Sequence, residues 1–220
     1  MKGFFVLFLL VFLFISPMVG AVELPSPSLE GEVDLEKVIS NRRSIREFSD
    51  EPLTLNQISQ LLWAAQGITD PDNNFRSAPS AGALYPMEVF LILGNAEELD
   101  AGVYRYKPED HSLEIVKEGD IRGDLRRASL GQRAIEQAPI NIVITAEYTR
   151  TTGHYGARGE RYVHMEAGHI GQNIYLQAAA LGLGTVAIGA FNDGDVASLL
   201  NIEYNPLYIF PVGYSQEFND

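Results

Sequence analysis

One short hairpin constrains this chain more than any other stretch. Val103 to Lys107 and Leu113 to Val116 read as strands, and the turn residues Pro108, Glu109 and Asp110 lie between them. Strands joined by so short a link run antiparallel, because a parallel pair needs a crossover of a dozen residues or more. That argues against a purely parallel, doubly wound sheet. Met87 to Leu93 reads as a buried strand, Ile140 to Ala146 is strongly strand-like, and Thr185 to Ile188 and Leu207 to Val212 read as further strands. Helical spacing fills the intervals. Asp34 is placed to cap a short helix through Leu35, Val38 and Ile39 that ends near Arg42 and Arg43. Thr54 and Gln57 form a capping box for a helix carrying Leu55, Ile58, Leu61, Leu62 and Ala65, with Gly67 at its end. Further helices are expected over Leu125 to Leu130, around Ile135, from about Arg158 to Leu181, and near Val196 to Leu200. Together these predict an α+β fold with a mixed, largely antiparallel sheet flanked by helices. A Rossmann unit is not among the readings, since Gly182-Leu183-Gly184 follows a helix and enters a strand, the reverse of the order that cradles a pyrophosphate.

The N-terminus is of a different kind. Lys2 precedes an unbroken apolar run from Phe4 to Ile15, then Pro17, and Val19 and Ala21 suit the small-residue positions before a cut at Val22. Residues 1–21 therefore read as a signal peptide, with a retained membrane anchor as the alternative, although the run is shorter than the ~20 residues a spanning helix needs. Residues 22–32, with their prolines, glycine, serines and glutamates, read as a linker, and residues 33–220 as one domain. The expected location is extracytoplasmic, secreted or anchored.

Composition narrows the function classes. A net charge of -13 with only 16 Lys and Arg works against a nucleic-acid partner. The absence of cysteine excludes disulfides, thiolate chemistry and cysteine-ligated metals, so redox work needs a borrowed cofactor. His154, His164, Glu166 and His169 lie close in sequence, but His164 and His169 would stand roughly 140° apart on a helix, which predicts no metal site. There is also no G-x-S-x-G elbow for a hydrolase.

Three stretches remain as candidates. Arg42-Arg43-Ser44-Ile45-Arg46 holds three guanidinium groups and a hydroxyl within five residues. Alternate residues of an extended segment share a face, so Arg42, Ser44 and Arg46 suit a phosphate; a solvated basic face ended by Glu47 and Asp50 is the alternative. Ser77 to Pro86, with Pro79, Ser80, Ala81 and Gly82, would let a flat ligand approach the backbone, or serve as a stiffened surface turn. The helix carrying Glu166, Gly168, His169 and Gly171 is rich in small residues, which favours close packing against another helix.

Taken in order, these pieces resemble the nitroreductase superfamily from Asp34 to Tyr214, and its SagB-type dehydrogenase branch in particular. The resemblance is carried by Arg42-Arg43-Ser44-Ile45-Arg46, by Ser80-Ala81-Gly82-Ala83-Leu84-Tyr85-Pro86, by the helix from Glu166 to Asn173, and by the strand ending in Gly189, Ala190 and Phe191. It implies a domain-intertwined homodimer with FMN at the interface. Arg42 and Ser44 would contact the phosphate side and Arg46 the pyrimidine edge, with Arg43 belonging to the same FMN-binding segment. Pro79, Ser80, Ala81 and Gly82 would come from the partner, and Gly189 and Ala190 would lie near the reactive ring nitrogen. It implies hydride transfer from a donor, NAD(P)H, to a small-molecule acceptor. Two departures stand out: Gly213 to Gln216 lacks the basic residue many nitroreductases place there, and His154-Tyr155 stands where azoline oxidases have a Lys-Tyr pair. Tyr155 is thus a candidate acid or base, with oxidation of a peptide azoline as the second reading. A non-catalytic flavin-binding protein outside the cytoplasm, where nicotinamide donors are scarce, is the third.

Overall fold

The computed structural model describes residues 21–216. Its main sheet has seven strands. From edge to edge they are β1 (Val22–Glu23), β6 (Ser112–Glu118), β5 (Gly102–Lys107), β4 (Met87–Leu93), β7 (Ile140–Ala146), β9 (Asn205–Gly213) and β8 (Gly184–Thr185). A small hairpin, β2 (Ile68–Asp70) with β3 (Phe75–Arg76), lies apart. The expected hairpin is β5 and β6, and β4 pairs with β7 over its whole length, Met87 opposite Ala146 and Leu93 opposite Ile140. All the strand pairs are antiparallel, and parallel geometry is confined to isolated bridges such as Ser44 with Thr185.

The helices are α1 (Leu35–Asn41), α2 (Leu55–Gln66), α3 (Arg122–Ala128), α4 (Arg133–Gln137), α5 (Tyr148–Tyr155), α6 (Arg158–Ala180) and α7 (Asp193–Leu200). The Thr54 and Gln57 capping box forms at the start of α2. Gly67 follows α2 as expected, but its backbone is extended rather than left-handed, because the chain runs straight on into β2. Asp34 takes the N-cap position of α1 without a side-chain hydrogen bond. The sequence reading missed α5, whose Thr, Arg and Gly residues give no apolar periodicity over eight positions.

The central strands are predominantly apolar on both faces because helices cover both faces of the sheet. Val89, Leu91 and Leu93 of β4 pack with Ile58, Leu61 and Leu62 of α2 and Ile170 and Ile174 of α6. Phe90 and Ile92 point the other way, joining Ile121, Leu125, Ile135, Val196 and Leu200. Side chains alternate across a strand, so a two-sided core leaves few polar positions in the pattern, and the three present, Glu88, Asn141 and Thr145, are buried with hydrogen-bond partners.

The start of the chain departs from expectation. Residues 22–32 are not a free tether over their first half: Val22 pairs with Leu113 and Glu23 with Ser112, while Leu24 is buried at 8% exposure. The Pro25 carbonyl accepts a hydrogen bond from Ser59 Oγ at 2.6 Å, and Ser28 N–H donates to Gln60 Oε1 at 2.8 Å. The physical reason is an open sheet edge at β6, whose unpaired backbone groups accept one more strand. The apolar run Phe4 to Ile15 lies outside the described residues. Among the described residues, no helix is long and apolar enough to cross a membrane. Leu24→Ala should lower unfolding free energy by about 2 kcal/mol, the lower end for burying a leucine. Denaturant titration of the two forms measures it, and equal midpoints would return this segment to the status of a tether.

Candidate functional site

The arginine segment owes its position to the last strand of the sheet. Ile45 N–H donates to the Thr185 carbonyl at 2.9 Å, and Ile45 is buried against Gly184, where a Cβ would fall 2.7 Å from that of Ile45. Only glycine allows so close an approach. With Ile45 turned inward, Ser44 is half-buried, and its Oγ shares a 2.9 Å hydrogen bond with Tyr175 Oη. The same Tyr175 hydroxyl accepts from the Ala187 N–H at 2.9 Å. The Arg42 guanidinium stacks over the Tyr175 ring, 5.0 Å from its centroid. Arg43 turns back onto its own chain, donating to the Ser40 and Arg42 carbonyls, and Arg46 is exposed, donating to the Ser44 carbonyl at 3.4 Å. Gly189 and Ala190 are exposed two and three residues beyond Ala187, within about 10 Å along an extended chain. Arg42 and Ser44 are therefore tied through Tyr175 to Ala187, two residues before Gly189.

The C-terminal stretch runs beside this segment. Phe48 bridges to Ser215, Ser49 N–H donates to the Tyr214 carbonyl, and Gln216 N–H donates to the Glu47 carbonyl. Its polar, uncharged residues thus lie next to the arginine segment.

Pro79, Ser80, Ala81 and Gly82 sit elsewhere, against the N-terminal half of α6. The Pro79 carbonyl accepts from His169 Nδ1 at 3.2 Å. Ser80 Oγ accepts from the Tyr85 N–H at 3.0 Å and donates to the Glu166 carboxylate. Gly82 has φ +63°, a left-handed conformation that favours glycine, and a Cβ there would lie 2.9 Å from Tyr155 Oη. Tyr155 thus borders the Ser80 loop, its ring edge-on to His154 at 4.5 Å and to Tyr162 at 5.1 Å. His164 bonds to Tyr148 rather than to His169. Among the described residues, no group of three or more His, Asp or Glu side chains is placed to hold a metal ion.

Sequence reasoning named Glu166 in a motif and in a rejected metal cluster but assigned its carboxyl no role. Glu166 is buried at 2% exposure and accepts from Gln66 Nε2 at 3.3 Å, while Gln66 Oε1 accepts from Arg76 NH1 at 3.3 Å. Burial pushes its carboxyl up to about 7, against the hydrogen bonds from Ser80 and Gln66 and the charge of Arg76, which act in the other direction. A signal was present: Glu166 interrupts the buried stripe of Val163, Ala167, Ile170 and Ile174 at helical spacing. Tyr175 gave no such sign, since an aromatic on an amphipathic helix usually serves the core.

Residues 39–214 match the nitroreductase family. The chain belongs to that family. It is accordingly an oxidoreductase of the flavin-dependent kind. It is 45% identical over 196 residues to the nitroreductase-family protein MJ1384 of Methanocaldococcus jannaschii, covering 89% of this chain and 98% of that one. It is 31% identical over 173 residues to the microcin B17-processing protein McbC of Escherichia coli, covering 76% of this chain and 64% of McbC, and so spans less than two thirds of that relative. The FMN reductase [NAD(P)H] of Bacillus subtilis is 24% identical over 188 residues, 80% of this chain and 61% of that one. Among solved structures, a nitroreductase-type protein of Ralstonia eutropha superposes with a TM-score of 0.79 at 30% identity, covering 90% of each chain. A chain of the Escherichia coli McbBCD complex with truncated pro-MccB17 bound gives 0.71 at 28%, covering 88% and 78%. The nitroreductase-like fold and the antiparallel sheet flanked by helices agree with expectation.

In this nitroreductase-family chain, the raised carboxyl of Glu166 has a measurable consequence. The native state keeps its proton between about 4.5, the ordinary value, and about 7, so it binds more protons there than the unfolded chain does. Its contribution is fully present below about 4.5 and is lost as pH rises through 7. Unfolding free energy should fall across that window by on the order of 3 kcal/mol relative to Glu166→Gln, which has no proton to lose. Parallel pH-stability curves for the two forms would refute this assignment.

Proposed function

We propose that this protein is an FMN-dependent oxidoreductase that transfers a hydride from NAD(P)H to a small-molecule acceptor, working as a homodimer outside the cytoplasm. The observation that carries the reading is the tie from Arg42 and Ser44 through Tyr175 to Ala187, which brings two groups suited to a phosphate to the segment that leads into the exposed Gly189 and Ala190. The donor set fits the cofactor. Arg42 and Ser44 offer charge-assisted and hydroxyl hydrogen bonds suited to a phosphate, and Gly189 and Ala190 present backbone without long side chains, where a flat ring can approach. Arg46 is exposed at the same segment and would meet the ring's pyrimidine edge, where a cation favours the reduced state. Bound flavin would supply the two-electron chemistry; the protein's part is binding, orientation and electrostatics.

The reading of a shared site is supported by α6. Ser80 meets that helix at Glu166 and Ser44 meets it at Tyr175, nine residues further on. Nine residues at 3.6 per turn and 1.5 Å each put those positions on opposite faces, about 14 Å apart along the axis. One ring touching both sets would draw them from two chains. Leu35 and Ile39 on α1 and Met165 on α6 are exposed apolar side chains, which would suit burial against a second copy.

A second reading, dehydrogenation of a peptide azoline, is favoured by the likeness to McbC together with the place of Tyr155. The Tyr155 hydroxyl at Gly82 borders the loop proposed to face the ring, where it could give or take a proton. His154 is exposed beside it, in place of a lysine.

Purified protein should carry a yellow flavin that NADH or NADPH bleaches anaerobically. Flavin that neither reduces would favour the peptide substrate or a purely binding role. Arg42→Ala should weaken FMN binding about tenfold or more, by loss of a charge-assisted contact, while Arg46→Ala should keep FMN and lower its midpoint potential. The reverse pattern in titration and potentiometry would overturn this register of the arginine segment.

A further inference from the structure

A polar cavity of about 210 Å³ lies away from the arginine segment, at the start of β4 and the end of β5. Its lining includes four cationic side chains, Arg76, Arg105, Lys107 and Arg150, and two carboxylates, Glu88 and Glu109. None of Arg42, Ser44 and Arg46 lines it. In a chain of net charge -13 such a local excess of positive charge is against the general field.

The ion pairs account for only part of this charge. Glu88 is buried at 8% exposure and is shared between Arg105 NH2 at 2.8 Å and Arg150 NH2 at 2.5 Å. Burial opposes the charge on both guanidiniums, and hydrogen bonds and attraction from Glu88 outweigh it, so both are held firmly protonated. Arg150 also meets Glu147 from outside the cavity at 2.7 Å. Glu114 faces Arg105 from β6, so Glu147 and Glu114 balance the cations from outside, and the excess of four cations over two carboxylates is confined to the cavity lining itself. Arg76 is the telling member. Its side chain is nine-tenths buried, with NH1 donating to Gln66, NH2 paired with Glu109 at 3.1 Å and the ring of Tyr85 4.7 Å from its Cζ, yet its buried Nε has no hydrogen-bond partner. A buried charged donor without an acceptor is costly, and native structures resolve it with a ligand or water.

We propose that this cavity is a binding site for a small oxyanion, a phosphate or a carboxylate, held by Arg76 with Arg105, Lys107 and Arg150. Its volume lies below the roughly 300–1,000 Å³ that drug-sized ligands fill, which restricts the occupant to a small ion or a terminal group. Glu109, half-exposed and paired with Arg76, is the natural competitor for the anion.

Calorimetric titration of the purified protein with inorganic phosphate, and separately with acetate, tests the site while flavin absorbance is followed. At least one anion should bind saturably without releasing flavin. Arg76→Gln should weaken that binding about tenfold, the loss of one charge-assisted contact. Glu109→Gln, a surface change that leaves the fold intact, should tighten it several-fold by freeing Arg76 NH2. Binding of phosphate rather than acetate, or the reverse, identifies the oxyanion. Absence of saturable binding by either anion to folded wild-type protein overturns the proposal. So does binding that displaces flavin, or that is unchanged in both variants.

Discussion

The hydroxyl of Tyr175 is the point on which the placement of the arginine segment turns. It is bonded at once to Ser44 Oγ and to the Ala187 N–H, and its ring carries the Arg42 guanidinium. Neither of the segments it joins is regular secondary structure, and each would otherwise be a surface loop held by few backbone bonds. The tie works because α6 is itself rigid. Ile170, Ile174 and Ala178 bury its inner face against the sheet, so Tyr175 is presented from a fixed scaffold. The contact of Ile45 with Gly184 adds a steric register to the polar one, since no other residue at 184 would admit that side chain.

A second constraint lies at the other end of α6. Glu166 is buried, flanked by Gln66 and Ser80, and Gln66 continues to Arg76. A chain of side-chain hydrogen bonds thus runs from the cationic cavity beside β4 and β5 to the Ser80 loop. Such a network is favourable only while each member is satisfied, and the protonated state of Glu166 is one of its variables. α6 therefore carries two sites on opposite faces, which is the physical basis for reading the flavin site as one assembled from two chains.

Most of the architecture was legible from periodicity. β4 and β7 could be read to the residue because both faces of the sheet are covered and nearly every side chain is apolar, Glu88, Asn141 and Thr145 being the exceptions. The capping box of α2 was equally plain, Thr54 and Gln57 being a local device whose partners are three residues apart. What escaped was non-local. β1 looked like a tether because two residues of strand carry no pattern, and only the open edge of β6 makes them one. α5 held by its contacts with α6 rather than by an apolar stripe of its own. The arginine segment and the Ser80 loop were visible as motifs, yet nothing in their spacing indicated Tyr175 or Glu166, whose roles arise from hydrogen bonds spanning more than eighty residues of chain.

The central claim, that the Tyr175 hydroxyl positions the cofactor-binding segment, is tested most directly by the FMN affinity of Tyr175→Phe. This change keeps the ring under Arg42 and removes only the oxygen that joins Ser44 to Ala187. The account predicts a folded protein whose FMN dissociation constant rises about tenfold, the value of one or two lost hydrogen bonds. An affinity equal to that of the wild type would show that the arginine segment holds its position without the tie, and would contradict the account.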